Sequence, residues 1–261
     1  MQNIPFNDYR AMTGLNASLL KACANGLYHG YRALHVPIEP SDAMKFGTAL
    51  HAYFLEADRF NDLVAVRPNV DRRTKAGKEI AEAFEASAGA KTIISQDDLE
   101  LIKRMRLKAM SLNDYTAVEV DGLKEYTIQG MAQFAEIKGR LDLVAKDGSV
   151  IVDVKTTKSA DPSQFARDFV NLHYDIQFLH YANLARLEWP DLRDVPRMLV
   201  LACETTSGEV ALYDVTEIAT RERAVEKYWK AVETFYQLEK TTEQPDKFPQ
   251  YAVKLESPAW A

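Results

Sequence analysis

The chain has 261 residues and a mass of 29.5 kDa, a length that fits one large domain or two small ones. Hydrophobic residues make up 47% and charged residues 27%, which excludes disordered, collagen-like and coiled-coil proteins. The net charge of −6 argues against a protein that coats nucleic acid with a uniformly basic surface, although it allows an enzyme with a local basic track.

Cys23 and Cys203 are the only cysteines, so we expect neither a disulfide framework nor a four-cysteine zinc or iron–sulfur site. The N-terminal sequence MQNIPFNDYR is polar, and no stretch approaches the roughly 18 apolar residues of a membrane span. We therefore expect a cytoplasmic protein of a reducing compartment that has no membrane partner.

The first part of the chain is predicted to be helical. Asn16 or Ser18 can cap a helix that runs to about His29, and Ser41 can cap a second helix over residues 42–58.

A short strand and two further helices are expected next. The strand lies near Leu63–Val66, and a basic loop then leads into a helix that ends at about Ser87. Ser95, with Asp98 three residues later, resembles a capping box and predicts a helix to about Leu112.

The second part alternates strands and helices. Strands are predicted over residues 123–129, 133–145, 149–155, 197–203 and 209–215, and helices over 162–170, 175–188 and 217–238. This order predicts an α/β or α+β fold, with a central mixed sheet flanked by helices and a helical N-terminal region. We assign residues 1–240 to one domain. Residues 241–261 contain three prolines and no helical period, so we expect an extended tail there.

The most informative segment is a predicted β-hairpin over residues 139–155. Asp147-Gly148 lies between two apolar alternating runs, which is a strong signal for a two-residue turn. If these two residues form the turn, Lys146 pairs with Ser149, and the remaining pairs follow by counting.

This register places Asp142 opposite Asp153 and Arg140 opposite Lys155. Because side chains alternate along a strand, these four are expected on one side, and the core side receives Leu141, Leu143, Val152 and Val154. Two opposed carboxylates destabilise a sheet unless a cation lies between them, and carboxylates suit Mg²⁺ or Mn²⁺. The alternative is a solvated polar face on a half-exposed hairpin.

These residues belong to a pattern that resembles the PD-(D/E)XK nuclease superfamily. Asp142 in GRLD matches its first acidic motif, and residues 153–155, DVK, match its (D/E)-X-K motif. Residues 47–51, GTALH, resemble the upstream G-x-x-x-H of the RecB-like branch, and residues 177–181, QFLHY, resemble its Q-x-x-x-Y. The stretches LNASLLKAC, GTALHAYFLE and DRRTKAGKE are similar to the RecE-type exonuclease domain, exodeoxyribonuclease VIII. The resemblance covers roughly residues 10–240.

The resemblance implies a metal site and roles for its residues. The implied metal ligands are His51, Asp142, Asp153 and the backbone carbonyl of Val154. Lys155 would orient or deprotonate the attacking water, or stabilise the pentacovalent phosphorus. Gln177 and Tyr181 would contact the scissile strand or support the metal ligands, and Glu125 could be another acid near the metal. Taken one by one, these residues also fit structural roles, as a helix histidine, a paired lysine and a buried tyrosine.

A basic loop is the best candidate for contact with the DNA backbone, because phosphate contacts require clustered cations. Its members are Arg67, Arg72, Arg73, Lys75 and Lys78. A solvated loop is the alternative. A second basic stretch at residues 103–108 lies on a predicted helix, where a structural role is favoured.

The resemblance implies a Mg²⁺-dependent 5′→3′ exonuclease, with Mn²⁺ as a possible substitute. It would digest linear double-stranded DNA, release 5′-mononucleotides and leave 3′ single-stranded tails for recombination. A homo-oligomeric ring, a RecT-like single-strand annealing partner and a bacterial or phage-infected host cell are implied as well. The sequence has no P-loop motif and therefore no helicase motor of its own. Alternatives are a structure-specific or restriction-like endonuclease on the same core and a non-catalytic DNA-binding subunit.

Overall fold

The computed structural model describes residues 4–249 together with residues 252 and 254. Its helices are α1 (Phe6–Ala11), α2 (Ala17–Ala24), α3 (Leu27–His35), α4 (Asp42–Leu55), α5 (Phe60–Leu63), α6 (Lys75–Ala88), α7 (Gln96–Ala109), α8 (Asn113–Glu119), α9 (Pro162–Asn171), α10 (Tyr174–Glu188), α11 (Thr216–Thr220) and α12 (Glu222–Leu238). Its strands are β1 (Val64–Val66), β2 (Thr92–Ile94), β3 (Leu123–Met131), β4 (Glu136–Val144), β5 (Val150–Thr157), β6 (Arg197–Glu204) and β7 (Val210–Asp214). None of the helices described here has the length and hydropathy that a membrane span requires.

The main sheet has five strands in the order β3-β4-β5-β6-β7. Strands β5 and β6 are parallel, whereas the other neighbouring pairs are antiparallel. A separate two-stranded parallel sheet consists of β1 and β2. The predicted fold class, a central mixed sheet flanked by helices, is therefore confirmed.

Helices cover both faces of the main sheet. Along β6 the buried side chains alternate between two hydrophobic clusters, with Met198 and Val200 in one and Leu199 and Leu201 in the other. The first cluster contains residues of α2, α10 and α12, and we call this side the α10 face. The second contains residues of α4, α7 and α8, and we call it the α4 face. Since neighbouring side chains of a strand point to opposite faces, the two clusters lie on opposite sides of the sheet.

The hairpin between β4 and β5 has the predicted register, because Leu143 pairs with Val152. Its turn is different. The Gly148 N–H donates to the Ala145 carbonyl at 2.8 Å, and the loop has four residues, 146–149, in place of the expected two. The register survives because both loops are centred on the same point of the chain, so the pairs that flank them are identical.

The expected sorting of side chains between the two faces is wrong at Leu141. Leu141 packs on the α10 face, whereas Leu143, two residues later, packs on the α4 face together with Val152. Alternation therefore breaks at Asp142, and the β4–β5 ladder ends at the Leu143–Val152 pair. Beyond that pair the Val154 N–H donates to Asp142 Oδ2 at 2.7 Å, in place of a backbone carbonyl.

We call the region where the two strands separate, residues 140–142 of β4 and 153–155 of β5, the fork. It faces helices on both sides of the sheet, because Asp142 contacts His51 of α4 and Asp153 contacts Gln177 of α10.

Several predicted helices are shorter than expected. The helix expected from residue 16 to 29 is divided into α2 and α3 at Gly26, whose φ of 109° ends the first helix. The helix expected over residues 42–58 ends at Leu55. The helix expected over residues 217–238 is interrupted at Arg221, where φ of −58° and ψ of 148° are extended.

Other elements were not predicted at all, namely α1, α5, α8 and β2. The capping box at Ser95 and Asp98 is present as predicted. In the expected tail, residues 241–249 form neither helix nor strand, and the remainder, apart from residues 252 and 254, lies outside the described residues.

His180 of α10 is fully buried between the main sheet and α12. Its Nε2 lies 3.0 Å from the Lys138 carbonyl oxygen, which can only accept, so Nε2 carries the proton and Nδ1 accepts from the Tyr228 hydroxyl at 3.2 Å. Burial lowers the pKa of His180 from 6.5 to about 4. The neutral imidazole is therefore part of the folded core.

We expect His180 to make the protein acid-labile. Above its unfolded pKa of 6.5 the imidazole is neutral in both states, but as the pH falls toward 4 only the unfolded chain binds the proton. Linkage gives a loss of about 2 kcal/mol in unfolding free energy between pH 7 and pH 5. Urea denaturation at pH 7 and at pH 5 measures the unfolding free energy. Its decrease between the two pH values should be larger in the wild type than in His180→Gln, which has no imidazole at this position. An identical pH dependence in the two proteins would contradict the assignment.

Candidate metal centre

A cleft of about 1000 Å³ opens at the fork. It is bordered by α1, α2, α4, β3, β4, β5 and α10, and its charged residues include both carboxylates and cations. The acids are Glu56, Glu125, Asp142 and Asp153, and the cations are Arg10, Lys21, Arg59, Arg140 and Lys155. A second cavity of about 620 Å³, beside Trp189, is lined by none of the predicted site residues.

Three of the predicted metal ligands contact one another at the fork. Nε2 of His51 lies 3.0 Å from the Val154 carbonyl oxygen, and Nδ1 lies 3.5 Å from Asp142 Oδ1. The other Asp142 oxygen accepts the Val154 N–H. His51 of helix α4 therefore lies at the point where β4 and β5 separate. The G-x-x-x-H motif predicted this position beside the acidic residues of the hairpin.

The glycine of that motif, Gly47, is not needed for the packing of α4 against β5. A Cβ added to Gly47 would meet Thr156 Oγ1 at 3.7 Å, which is ordinary van der Waals contact. The approach of α4 to β5 therefore does not require glycine at this position.

Glu125 joins this group from β3. Ligand atoms of His51, Glu125 and Asp142 all lie within 4.8 Å of one another. The strand register places Glu125 opposite Asp142, but Glu125 has a φ of 49°, a left-handed conformation that costs a residue with a side chain roughly 1–2 kcal/mol. Strained residues of this kind concentrate at functional sites. The structure therefore gives Glu125, a possible acid from the sequence, a definite place beside His51.

The remaining predicted residues surround Asp153. Gln177 Nε2 donates to Asp153 Oδ1 at 2.6 Å and to the Tyr181 hydroxyl at 2.8 Å. Lys155 Nζ lies against the other carboxylate oxygen, Oδ2. The two residues of the Q-x-x-x-Y motif, four apart on α10 and therefore on one face, thus support a predicted metal ligand.

Burial governs the charges at the fork. It raises the pKa of Asp142 above its usual range, with a further contribution from Asp153. Burial alone would lower the pKa of His51, but the Asp142 and Glu125 carboxylates raise it. Burial likewise opposes the charge of Lys155, and Asp153 and Asp142 raise its pKa nonetheless. Positive charge is therefore favoured at this place.

An ion-pair network continues from Glu125 across the cleft. Arg140 Nε contacts Glu125, and its Nη2 lies 3.3 Å from Glu56, which also binds Arg59 Nη1 at 2.8 Å. Arg140 was expected on the same side as Asp153 and Lys155, and this expectation is wrong: Leu141 packs on the α10 face, and Arg140 instead contacts Glu56, which follows α4. Glu56 is the last residue of the GTALHAYFLE stretch, and Arg59 follows it by three residues, but neither was predicted as a site residue.

The basic loop lies outside the residues that line the cleft. Its residues are exposed, and several of them pair with nearby acids, among them Arg73 with Asp71 and Arg72 with Glu85. A contact with DNA at Arg67, Arg72, Arg73, Lys75 and Lys78 therefore stays a prediction. In the second basic stretch, Arg106 contacts Tyr115 and Glu119 in the interior, which agrees with the structural role favoured for that stretch.

The donor set at the fork fits a hard divalent cation. It offers carboxylates, an imidazole and a backbone carbonyl, and oxygen ligands of this kind suit Mg²⁺ and Mn²⁺. Asp153 Oδ2 is buried and accepts no hydrogen bond from the described residues, although Lys155 Nζ lies beside it. A cation would neutralise carboxylates that are otherwise buried together.

The comparisons with known proteins agree with this geometry. Residues 17–252 match the family described as "PDDEXK-like domain of unknown function (DUF3799)", and the chain belongs to that family. No curated protein matches the chain.

One of two solved structures similar to the chain supports the fold. A crystal structure from Eubacterium rectale, named "Putative exonuclease", is similar with a TM-score of 0.63 and 18% sequence identity, over 93% of this chain and 89% of that one. A structure named SSO0001 aligns over 84% of this chain and 85% of that one at 14% identity, with a TM-score of only 0.32. At 18% identity the likeness to the Eubacterium rectale structure establishes the fold alone.

We expect Asp142→Asn to separate metal binding from folding. A ligand bound only by the folded state at 100 times its Kd stabilises it by about 2.7 kcal/mol, so Mn²⁺ should raise the Tm of the wild type by roughly 5 °C or more. The variant should lose this rise, yet its metal-free Tm should stay equal or increase, because one of several neighbouring buried carboxylates becomes neutral.

Differential scanning fluorimetry with and without Mn²⁺ makes this measurement. Asp121→Asn is the matched control, since Asp121 is exposed and pairs with the surface residue Lys146. A Mn²⁺-induced rise that persists in Asp142→Asn would contradict the site.

Proposed function

We propose that this chain is a Mg²⁺-dependent 5′→3′ exonuclease of linear double-stranded DNA, with Mn²⁺ able to replace Mg²⁺. It releases 5′-mononucleotides and leaves 3′ single-stranded tails for recombination. One observation carries the proposal: His51, Asp142, Asp153 and Lys155 converge at the fork of a PDDEXK-like domain. The motif order supports the nuclease class, and the similarity to RecE-type exonucleases supports the polarity and the product.

His51, Asp142, Asp153 and the Val154 carbonyl would hold the metal, with Glu125 near enough to join them. A divalent cation at such a site lowers the pKa of an attacking water and neutralises charge on the phosphate. The raised pKa of Lys155 supports a cationic role, in which its ammonium group faces the negative charge that develops on the phosphorus oxygens. Gln177 and Tyr181 keep Asp153 in place through hydrogen bonds.

The wider setting is part of the same proposal. A homo-oligomeric ring would reconcile a net-acidic chain with a basic inner track along DNA, and sedimentation velocity measures the oligomeric state directly. A RecT-like single-strand annealing protein would take up the 3′ tails. Such a pair would act in the cytoplasm of a bacterium or of a phage-infected host.

Linear and covalently closed circular duplexes separate the candidate functions. With Mg²⁺, linear DNA labelled at either end should be digested from its 5′ ends while circles survive, and EDTA should abolish digestion. Cleavage of circles would favour a structure-specific or restriction-like endonuclease on the same core. Binding without cleavage, with either Mg²⁺ or Mn²⁺, would favour a non-catalytic DNA-binding subunit.

Lys155→Met should lower kcat by roughly 100-fold, since loss of one preorganised electrostatic group typically costs that much. Single-turnover digestion of an end-labelled linear duplex makes the measurement. Lys158→Met is the matched control, because Lys158 is exposed and lies three residues further along the chain. Equal rates for the two variants would show that Lys155 does not contribute to catalysis.

The basic loop can be tested through the salt dependence of DNA binding. Replacing both Lys75 and Lys78 with glutamine should reduce the slope of log K against log salt by about two, because each phosphate contact contributes about one. Fluorescence anisotropy in Ca²⁺, which permits binding without turnover, gives the slope. The control variant combines Lys103→Gln with Lys108→Gln. An unchanged slope in the Lys75 and Lys78 variant would show that the loop makes no contact with DNA phosphates.

A further inference from the structure

Lys21 of α2 is a cleft residue within the LNASLLKAC stretch, and no role was predicted for it from the sequence. Its Nζ donates to Gln177 Oε1 at 2.8 Å, across 156 positions of the chain. Gln177 then donates from Nε2 to Asp153 Oδ1 at 2.6 Å. Lys21 is therefore connected to a predicted metal ligand through a single side chain.

The hydrogen bonds of Gln177 assign both ends of its amide. An amide oxygen only accepts, and an amide nitrogen only donates. The Lys21 ammonium occupies the oxygen end, so the nitrogen end faces Asp153 and the Tyr181 hydroxyl, 2.8 Å away. Without Lys21, the oxygen end would lose this donor, and the amide would be held from one side only.

The position of Lys21 is electrostatically unfavourable by itself. Burial and the nearby Lys155 lower the pKa of Lys21 to about 8. The Lys21 and Lys155 ammonium groups lie 5.1 and 5.2 Å from the centroid of the same ring, that of Tyr174, and cation–π attraction offsets part of the cost. Two neighbouring lysines that share one ring, next to the carboxylates of the fork, indicate a role that a neutral side chain could not replace.

We propose that Lys21 is a positioning residue of the nuclease reaction, which fixes the Gln177 amide and thereby the orientation of the Asp153 carboxylate toward the metal. The inference deepens the proposed function and rests on it. Lys21 acts on Asp153 through Gln177. Replacing Lys21 should therefore have no effect on metal affinity once Gln177 has also been replaced.

A double-mutant cycle with Lys21→Met and Gln177→Met tests this dependence. The metal affinity is read as the Kd for Mn²⁺, by isothermal titration without DNA, and kcat and KM are measured on a linear duplex. Lys21→Met should weaken Mn²⁺ binding by about tenfold, as loss of a group that orients a metal ligand typically does, and should lower kcat while the KM for DNA stays the same. The double variant should bind Mn²⁺ no more weakly than Gln177→Met.

Two further variants guard against a general structural effect. Lys21→Arg keeps a cationic donor and should recover part of the affinity, whereas Lys158→Met should bind Mn²⁺ as the wild type does. Methionine can still contact the Tyr174 ring through its thioether, so the metal-free Tm of Lys21→Met should lie close to that of the wild type.

Several outcomes would overturn the inference. Additive losses in the cycle, or an unchanged Kd for Mn²⁺, would show that Lys21 does not act through Gln177. A raised KM with unchanged metal affinity would instead assign Lys21 to DNA contact. The wild type could bind Mn²⁺, and the double-mutant cycle could give the expected result, without any cleavage of DNA. In that case Lys21 still positions the metal ligand Asp153, but the proposed nuclease function is wrong. A wild type that binds no Mn²⁺ would overturn both.

Discussion

Carboxylates are costly to bury, and three of them, Asp142, Asp153 and Glu125, lie buried at the fork and on the adjoining part of β3. Each is compensated by different groups. Asp142 accepts the Val154 N–H, Glu125 contacts Arg140, and Asp153 is held by Gln177 and Lys155. Much of the architecture around the fork supplies these partners, because an uncompensated charge in the interior would outweigh the stabilisation that the surrounding packing provides.

The sheet itself departs from regularity to make room for this group. The ladder between β4 and β5 stops after the Leu143–Val152 pair, and alternation breaks at Asp142. On the other neighbour of β4, Glu125 adopts a left-handed backbone directly opposite Asp142. The two irregularities occur at the same level of the sheet, where β4 and β5 separate, and helices on both faces contact the residues at this point. Consequently α4 can contribute His51 and α10 can contribute Gln177 to a single site.

The charge distribution follows the same requirement. The chain is acidic overall, yet the cleft gathers five cations among its carboxylates. Several are held in place by acids, as Arg140 is by Glu125 and Glu56, and Lys155 is by Asp153. This mixture of charges suits the metal and phosphate of the proposed function, whereas the exposed basic loop lies outside the residues that line the cleft.

The sequence by itself determined the features that depend on local or periodic patterns. The hairpin register, the capping box at Ser95 and the mixed sheet could be predicted from alternation and fixed spacing. The resemblance to a nuclease family indicated His51, Asp142, Asp153, Gln177 and Tyr181 as site residues. Tertiary structure alone decided the left-handed Glu125 and the change of face between Leu141 and Leu143. It also decided the bond between Lys21 and Gln177. These features arise from contacts between residues far apart in the chain and from the need to neutralise buried charge, and no local pattern records either.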